Sequence, residues 1–199
     1  MPSLKTMKTS ITITPMRKSK ATNNELRTLN SKPKVRSSEF GVQSQIILGI
    51  DPGLADTGFG IIQKQGSKLK LIDYGCIKTS SKLAMENRLE EIYQSLTKLI
   101  KKYRPQLIAV EKLFFCKNVK TALAVGQARG VVILTAGQNN LPLYEFTPLQ
   151  IKLALTSYGK ADKNQVQQMV KIILGLKQIP KPDDAADALA AAICCAHSL

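Results

Sequence analysis

Residues Ile46 to Gly60, IILGIDPGLADTGFG, put Asp51 at the end of an apolar run and follow it at once with Pro52 and Gly53. A carboxylate therefore stands where a buried strand leaves the core. Glu111 closes a second apolar run, Leu107 to Val110, in the same way. Asp184 and Asp187 lie three apart in the alanine-rich segment DDAADALAAAI, a spacing that places both on one face of a helix. Two-metal phosphodiester hydrolysis needs several hard oxygen ligands converging on ions about 3.5–4 Å apart. Carboxylates on neighbouring strand ends, approached from the side by a helix, meet that need. Without cations such a cluster repels itself, which gives it a functional rationale that a solvated acidic surface lacks.

Each acid also has a structural reading. Asp-Pro-Gly is a common turn, and Glu111 suits a solvated strand end. Asp183 and Asp184 follow Pro180 and Pro182 and suit helix N-caps, the role that fits Asp183 best although it could share a face with Asp187. The order of the acids and the elements that carry them shift the balance towards chemistry.

The positioning elements follow from hydrophobic period. Ile46 to Ile50 is continuously apolar, as a strand buried on both faces requires. Gly58 to Lys64 and Leu69 to Thr79 follow across the turn-like Gln65-Gly66-Ser67 and predict an antiparallel meander. Leu83, Leu89, Ile92, Leu96, Leu99 and Ile100 recur at helical spacing until Arg104-Pro105 stops the run. Leu107 to Glu111 is a fourth strand, Val119 to Gln138 a helix and Leu141 to Phe146 a fifth strand. Helices over Pro148 to Thr156, Lys163 to Leu174 and Asp183 to Ala196 complete an α/β fold. The helix Val119 to Gln138 carries small and apolar residues on more than one side, which fits an ordinary core helix or a subunit interface.

The 199 residues suffice for one α/β domain with an appendage. The 29 Lys and Arg against 14 Asp and Glu give a net charge of +15, which favours a polyanionic partner. Residues 1–44 form a basic extension without apolar periodicity, with nine Lys or Arg against Glu25 and Glu39. This composition predicts disorder. It suits a DNA-tethering arm, a transit peptide, or translation from an upstream start codon. Residues 45–199 are the folded domain and remain basic without it. Cys76, Cys116, Cys194 and Cys195 show no paired framework, so reduced thiols and a cytoplasmic location are expected. His197, two residues after Cys195, completes no zinc ligand set. No segment is apolar enough to span a membrane.

The motifs ILGIDPG, AVEKLFF, GQARG and DDAADALAAAI, in this order from about Ile46 to Ala196, resemble the RuvC family of Holliday junction resolvases. The resemblance implies a ribonuclease H-like mixed five-stranded sheet flanked by helices. It also implies a homodimer that nicks two opposed strands of a four-way DNA junction, with a RuvA-RuvB-type branch-migration complex as partner. The family's acidic tetrad falls on Asp51, Glu111, Asp184 and Asp187, which would hold two Mg²⁺ ions, with Mn²⁺ as a substitute. Its junction-stacking aromatic falls on Phe114, and two basic positions near the scissile phosphate fall on Lys152 and Lys163. From the residues alone, Phe114-Phe115 suits a loop anchor and either lysine suits solvated surface. Lys117, Lys120 and Arg129 flank the aromatic loop and are candidate phosphate contacts by charge and position.

Two rival readings remain from sequence. One is a same-fold relative that processes RNA or binds junctions without cutting. The other is an actin-like phosphate-binding module, whose first hairpin Asp51, Gly53, Thr57 and Gly58 match loosely. The chain is short for the two lobes of such an ATPase, and no second phosphate hairpin is evident.

Overall fold

A computed structural model of the chain describes residues 44–112 and 119–199, with backbone alone for residues 119–121. The reading of residues 1–43 as a disordered extension, and those of Phe114 and Lys117, lie outside the described residues. Five strands, β1 (Ser44–Asp51), β2 (Asp56–Gln65), β3 (Lys68–Lys78), β4 (Leu107–Glu111) and β5 (Leu143–Phe146), form one mixed sheet in the order β3-β2-β1-β4-β5. The first three make the antiparallel meander. β4 runs parallel to β1, and β5 parallel to β4.

Helices α1 (Met85–Tyr103) and α2 (Val119–Gln138) cover one face, and α3 (Pro148–Thr156), α4 (Lys163–Ile173) and α5 (Asp183–Ser198) cover the other. β1 is buried between these layers, with Ile47, Leu48 and Ile50 inaccessible to solvent. The amphipathic α1 buries Ile92, Leu96 and Ile100 and stops at Arg104, which takes a left-handed conformation before Pro105. α3 and α4 each begin with a reciprocal capping box, Thr147 with Gln150 and Asp162 with Gln165. Among the described residues no helix is long and apolar enough to cross a membrane.

Most element positions agree with the hydrophobic pattern to within a few residues. β5 starts at Leu143 and not at Leu141, because Asn140 turns left-handed at φ 52 and the Leu141 amide bonds back to the Ala136 carbonyl. The following Pro142 has no amide to give the ladder. β2 starts at Asp56, two residues before Gly58, so that Gly58 pairs with Asp51 inside the ladder.

α5 is the central helix of its layer. Every residue from Ala185 to Ala196 other than Asp187 is buried, as a helix apolar on all sides demands. Its small side chains face a strip of β1 and β2 that has none. A Cβ on Gly49 would lie 2.0 Å from the Ala188 carbonyl oxygen, one on Gly58 2.0 Å from that of Asp184, and one on Gly60 2.6 Å from the Leu189 side chain. The helix backbone therefore rests directly on the sheet.

This contact predicts opposite signs for two Gly-to-Ala changes. Gly49→Ala should destabilise the fold by about 1–3 kcal/mol, the usual cost of overpacking. Gly137→Ala, at an exposed position of α2 with nothing within 4 Å of the new methyl, should stabilise by roughly 0.5–1 kcal/mol. Urea denaturation of the two variants would check both, and a stable Gly49→Ala protein would refute the contact.

Candidate active site

β1 and β4 are in register with Ile50 opposite Val110, so Asp51 and Glu111 leave the sheet side by side. Strand alternation sets both side chains on the face that carries α5, the face of Ile47 and Gly49 on β1 and of Leu107 and Ala109 on β4. Gly58 is the ladder partner of Asp51, and the Asp184 carbonyl occupies the space of its missing Cβ. The first turn of α5 is thereby held over the end of β1. A cleft of about 210 Å³ opens there, lined by Glu111, Asp187, Lys152, Lys163, Pro148 and Ile151 among others.

Electrostatics binds these groups into one unit. Burial, then the charges of Asp187, Glu111 and Asp184, push the Asp51 carboxyl from an ordinary 3.8 up to about 7, against a lowering effect of Lys163. Glu111 is also raised, by burial and by Asp187, while Lys152 and Lys163 pull it down. Asp187 is raised by burial in spite of its bond to Lys163. Burial lowers the Lys163 ammonium, but its bond and charge pairing with Asp187, aided by Asp183, outweigh this and hold it above its usual value. Its Nζ lies 2.9 Å from Asp187 Oδ2 and 3.6 Å from Asp183 Oδ2. Hard oxygen donors carrying more negative charge than the adjoining lysines offset are the donor set that suits a divalent cation.

Asp184 occupies a flank of this arrangement. Its carboxylate, that of Asp56 and the Cys76 thiol lie within 4.8 Å of one another, and Asp184 lines a second cavity of about 510 Å³ with Gly53, Asp56 and Arg88. Cys76 Sγ donates to Asp56 at 3.5 Å, and burial with this bond raises the thiol to about 12. Sequence reasoning missed Asp56 and Cys76, since neither ends an apolar strand. It gave Thr57 only as part of a loose phosphate-hairpin match and did not foresee the hydroxyls that tie the turn after Asp51. Thr57 Oγ1 donates to the Gly53 carbonyl at 2.5 Å, Thr79 Oγ1 to the Leu54 carbonyl at 2.6 Å, and Arg88 Nε to Thr79 Oγ1 at 2.8 Å. The available signal was a hydroxyl at the head of an apolar strand, and the structure buries Thr57 completely.

One sequence assignment is redirected. Asp183 caps nothing: the N-cap is Pro182, and Asp183 accepts from Lys181 at 2.7 Å. Arg129 is ion-paired with Glu145 on β5 and is only 20% exposed. Lys120 lies in the first turn of α2, and its side chain is outside the described residues. His197 bonds to the Ala154 carbonyl and, among the described residues, joins no metal-ligating cluster.

The raised Asp51 pKa sets a sign for stability. Below 3.8 the carboxyl is protonated in both folded and unfolded chains and costs nothing. As pH rises to about 7 the folded protein holds a proton that the unfolded chain has lost, so stability falls, and the full penalty is present above that. In EDTA, Asp51→Asn should therefore melt above the parent protein at pH ~8 and with it at pH ~4. Thermal scans across pH check this, and a difference independent of pH would contradict the assignment.

The sequence model of the family described as crossover junction endodeoxyribonuclease RuvC matches residues 47–195. The RuvC protein of Alkaliphilus metalliredigens is 58% identical over 153 residues, covering 77% of this chain and 93% of that one. That of Caldicellulosiruptor saccharolyticus is 59% identical over 149 residues, covering 74% and 90%. Among solved structures, Thermus thermophilus RuvC in complex with Holliday junction substrate superposes with a TM-score of 0.74 at 36% identity, over 77% of this chain and 94% of that one. The yeast mitochondrial Holliday junction resolvase, 17% identical with a TM-score of 0.55, shares the fold. A ribonuclease H-like fold, a family match along the whole folded region and relatives more than half identical over nearly their full length place this chain in the RuvC family of crossover junction endodeoxyribonucleases.

Proposed function

We propose that the protein is a structure-selective endonuclease that resolves four-way DNA junctions by paired symmetric nicks, dependent on Mg²⁺. The observation that carries this reading is the convergence of Glu111 and Asp187 with Lys152 and Lys163 at one cleft, next to an Asp51 that feels the charges of Asp187, Glu111 and Lys163, in a chain of this family. Asp51, Glu111, Asp184 and Asp187 are assigned as the holders of two ions. When bound, such ions neutralise charge on the phosphate and lower the pKa of water. Lys163, kept protonated by Asp187, and Lys152, beside Glu111, lie where positive charge stabilises the charge that develops on the phosphoryl oxygens. In-line hydrolysis then leaves 5′ phosphate and 3′ hydroxyl ends. Phe114 as a stacking residue, and Lys117 and Lys120 as phosphate contacts, belong to this reading on the family resemblance and on charge.

Paired nicks need two sites. The outer face of α2 exposes Leu123, Ile133 and Leu134, with the first 65% accessible, a surface that suits a second copy of the chain. A cytoplasmic setting, residues 1–43 as an accessory extension and a branch-migration complex as partner complete the proposal. The turn hydroxyl of Thr57, which an actin-like phosphate hairpin would direct at a nucleotide, is spent on Gly53 instead.

Labelled mobile and immobile junctions, incubated with Mg²⁺ or EDTA, should yield metal-dependent nicks at symmetric positions in opposed strands. Asp51→Asn should cut more than about a hundredfold more slowly while binding the junction at least as tightly, because a carboxylate beside phosphate is removed. Retained cutting would sink the metal assignment, and selectivity for structured RNA would favour the RNA-processing alternative. Leu134→Asp should give monomers in sedimentation and uncouple the two nicks. An intact dimer would exclude this face of α2 as the interface.

A further inference from the structure

The geometry points to a nucleotide subsite beside the acidic cleft: a shelf of Leu149, Leu153 and Gly159 that receives the base and sugar of the residue flanking the scissile phosphate. The inference rests on the nuclease reading above and extends it to recognition of the cut site.

α3 buries Ile151 and Leu155, and its other side should be polar if it faced only water. Leu149 and Leu153, one turn apart, are instead 55% and 47% exposed. The chain after α3 folds back against them. Ser157 turns left-handed at φ 55, and Gly159 packs so close that a Cβ there would lie 2.6 Å from Leu149 Cδ1 and 3.6 Å from Leu153 Cδ2. The result is a hollow of about 270 Å³ lined by Pro148, Leu149, Lys152 and Gly159.

This hollow adjoins the site. Pro148 and Lys152 line both the hollow and the cleft that holds Glu111, Lys163 and Asp187. Lys152 is thus a shared wall, with a carboxylate-lined space on one side and an apolar one on the other. The basic side chains Lys152 and Lys163 line the cleft, and the one carboxylate of the connecting segment, Asp162, is turned onto α4, where it accepts from the Gln165 amide at 2.8 Å. An anionic group seated at the cleft and an apolar, flat group seated on the shelf are the two halves of a nucleotide. A free anion would have no use for the leucines. A base laid on leucines contributes by burying apolar surface irrespective of its hydrogen-bonding edge, and burial of about 60 Å² corresponds to roughly tenfold in affinity or rate.

A thermodynamic cycle on single-turnover cleavage tests the subsite. The Leu149→Ser/Leu153→Ser protein and the parent are each given an intact junction and junctions with an abasic residue on the 5′ or the 3′ side of the cleaved phosphate. Both leucines are exposed, so the melting temperature should hold. The double variant should cut the intact junction about tenfold more slowly. The abasic residue should slow the parent by a similar factor on one of the two sides, and should slow the double variant no further on that side. Gly159→Ala, which displaces only the end of the Leu149 side chain, should show the same coupling in weaker form. Penalties that multiply independently on both sides, or leucine substitutions without effect, would overturn the subsite. Failure of the parent protein to cut an intact junction in Mg²⁺ would overturn the nuclease reading and the subsite with it.

Discussion

The backbone of α5 lies directly against Gly49 of β1 and Gly58 of β2, and the site is built on that contact. Gly49, Gly58 and Gly60 supply the missing volume on the sheet side, and the alanines of α5 supply it on the helix side. Close packing of this kind has little slack, because a single methyl would meet a carbonyl oxygen at 2.0 Å. The position of Asp184 and Asp187 along the helix is therefore coupled to the position of Asp51 on the strand. Asp187 is the one residue between Ala185 and Ala196 that escapes full burial, and it does so at the cleft.

That proximity has an electrostatic consequence. Three carboxyls on three elements are each held above their ordinary range by burial and by one another, with two lysines as incomplete compensation. Folding alone creates an arrangement of high charge density at the edge of the core, and it is tolerable because a cation or a proton relieves it. Lys163 holds a middle position: it is bonded to Asp187 and still borders the cleft, so it restrains an acid and remains near the space where a phosphate would sit. Lys152 lines both the charged cleft and the apolar hollow beside α3, and its charge lowers the Glu111 pKa.

Much of this was legible in the residues. The run Ile46 to Ile50 and the run Leu107 to Val110 read as buried strands because both are continuously apolar, and their terminal acids were the obvious chemical candidates. The helices were readable from period and from their stop signals, as with Arg104-Pro105. Three features were not. The ion pair of Arg129 with Glu145 joins residues from separate elements, and a lone arginine looks the same whether it meets a phosphate or a carboxylate. The grouping of Asp56, Cys76 and Asp184 depends on β2, β3 and α5 meeting at one edge. The exposure of Leu149 and Leu153 depends on which side of a mostly apolar helix turns inward, and a weakly amphipathic segment does not declare this.

The sequence by itself determined the local states: which segments are strands or helices, where they begin and end, and which acids stand at their ends, because these follow from side-chain period, capping and turn chemistry within a few residues. Tertiary structure alone decided register and approach. The Ile50 to Val110 pairing that sets Asp51 beside Glu111, and the seating of α5 on Gly49 and Gly58 that brings Asp187 to them, arise from contacts between residues distant in the chain. The energies that select those contacts, close packing and the desolvation of charge, do not exist until the elements meet.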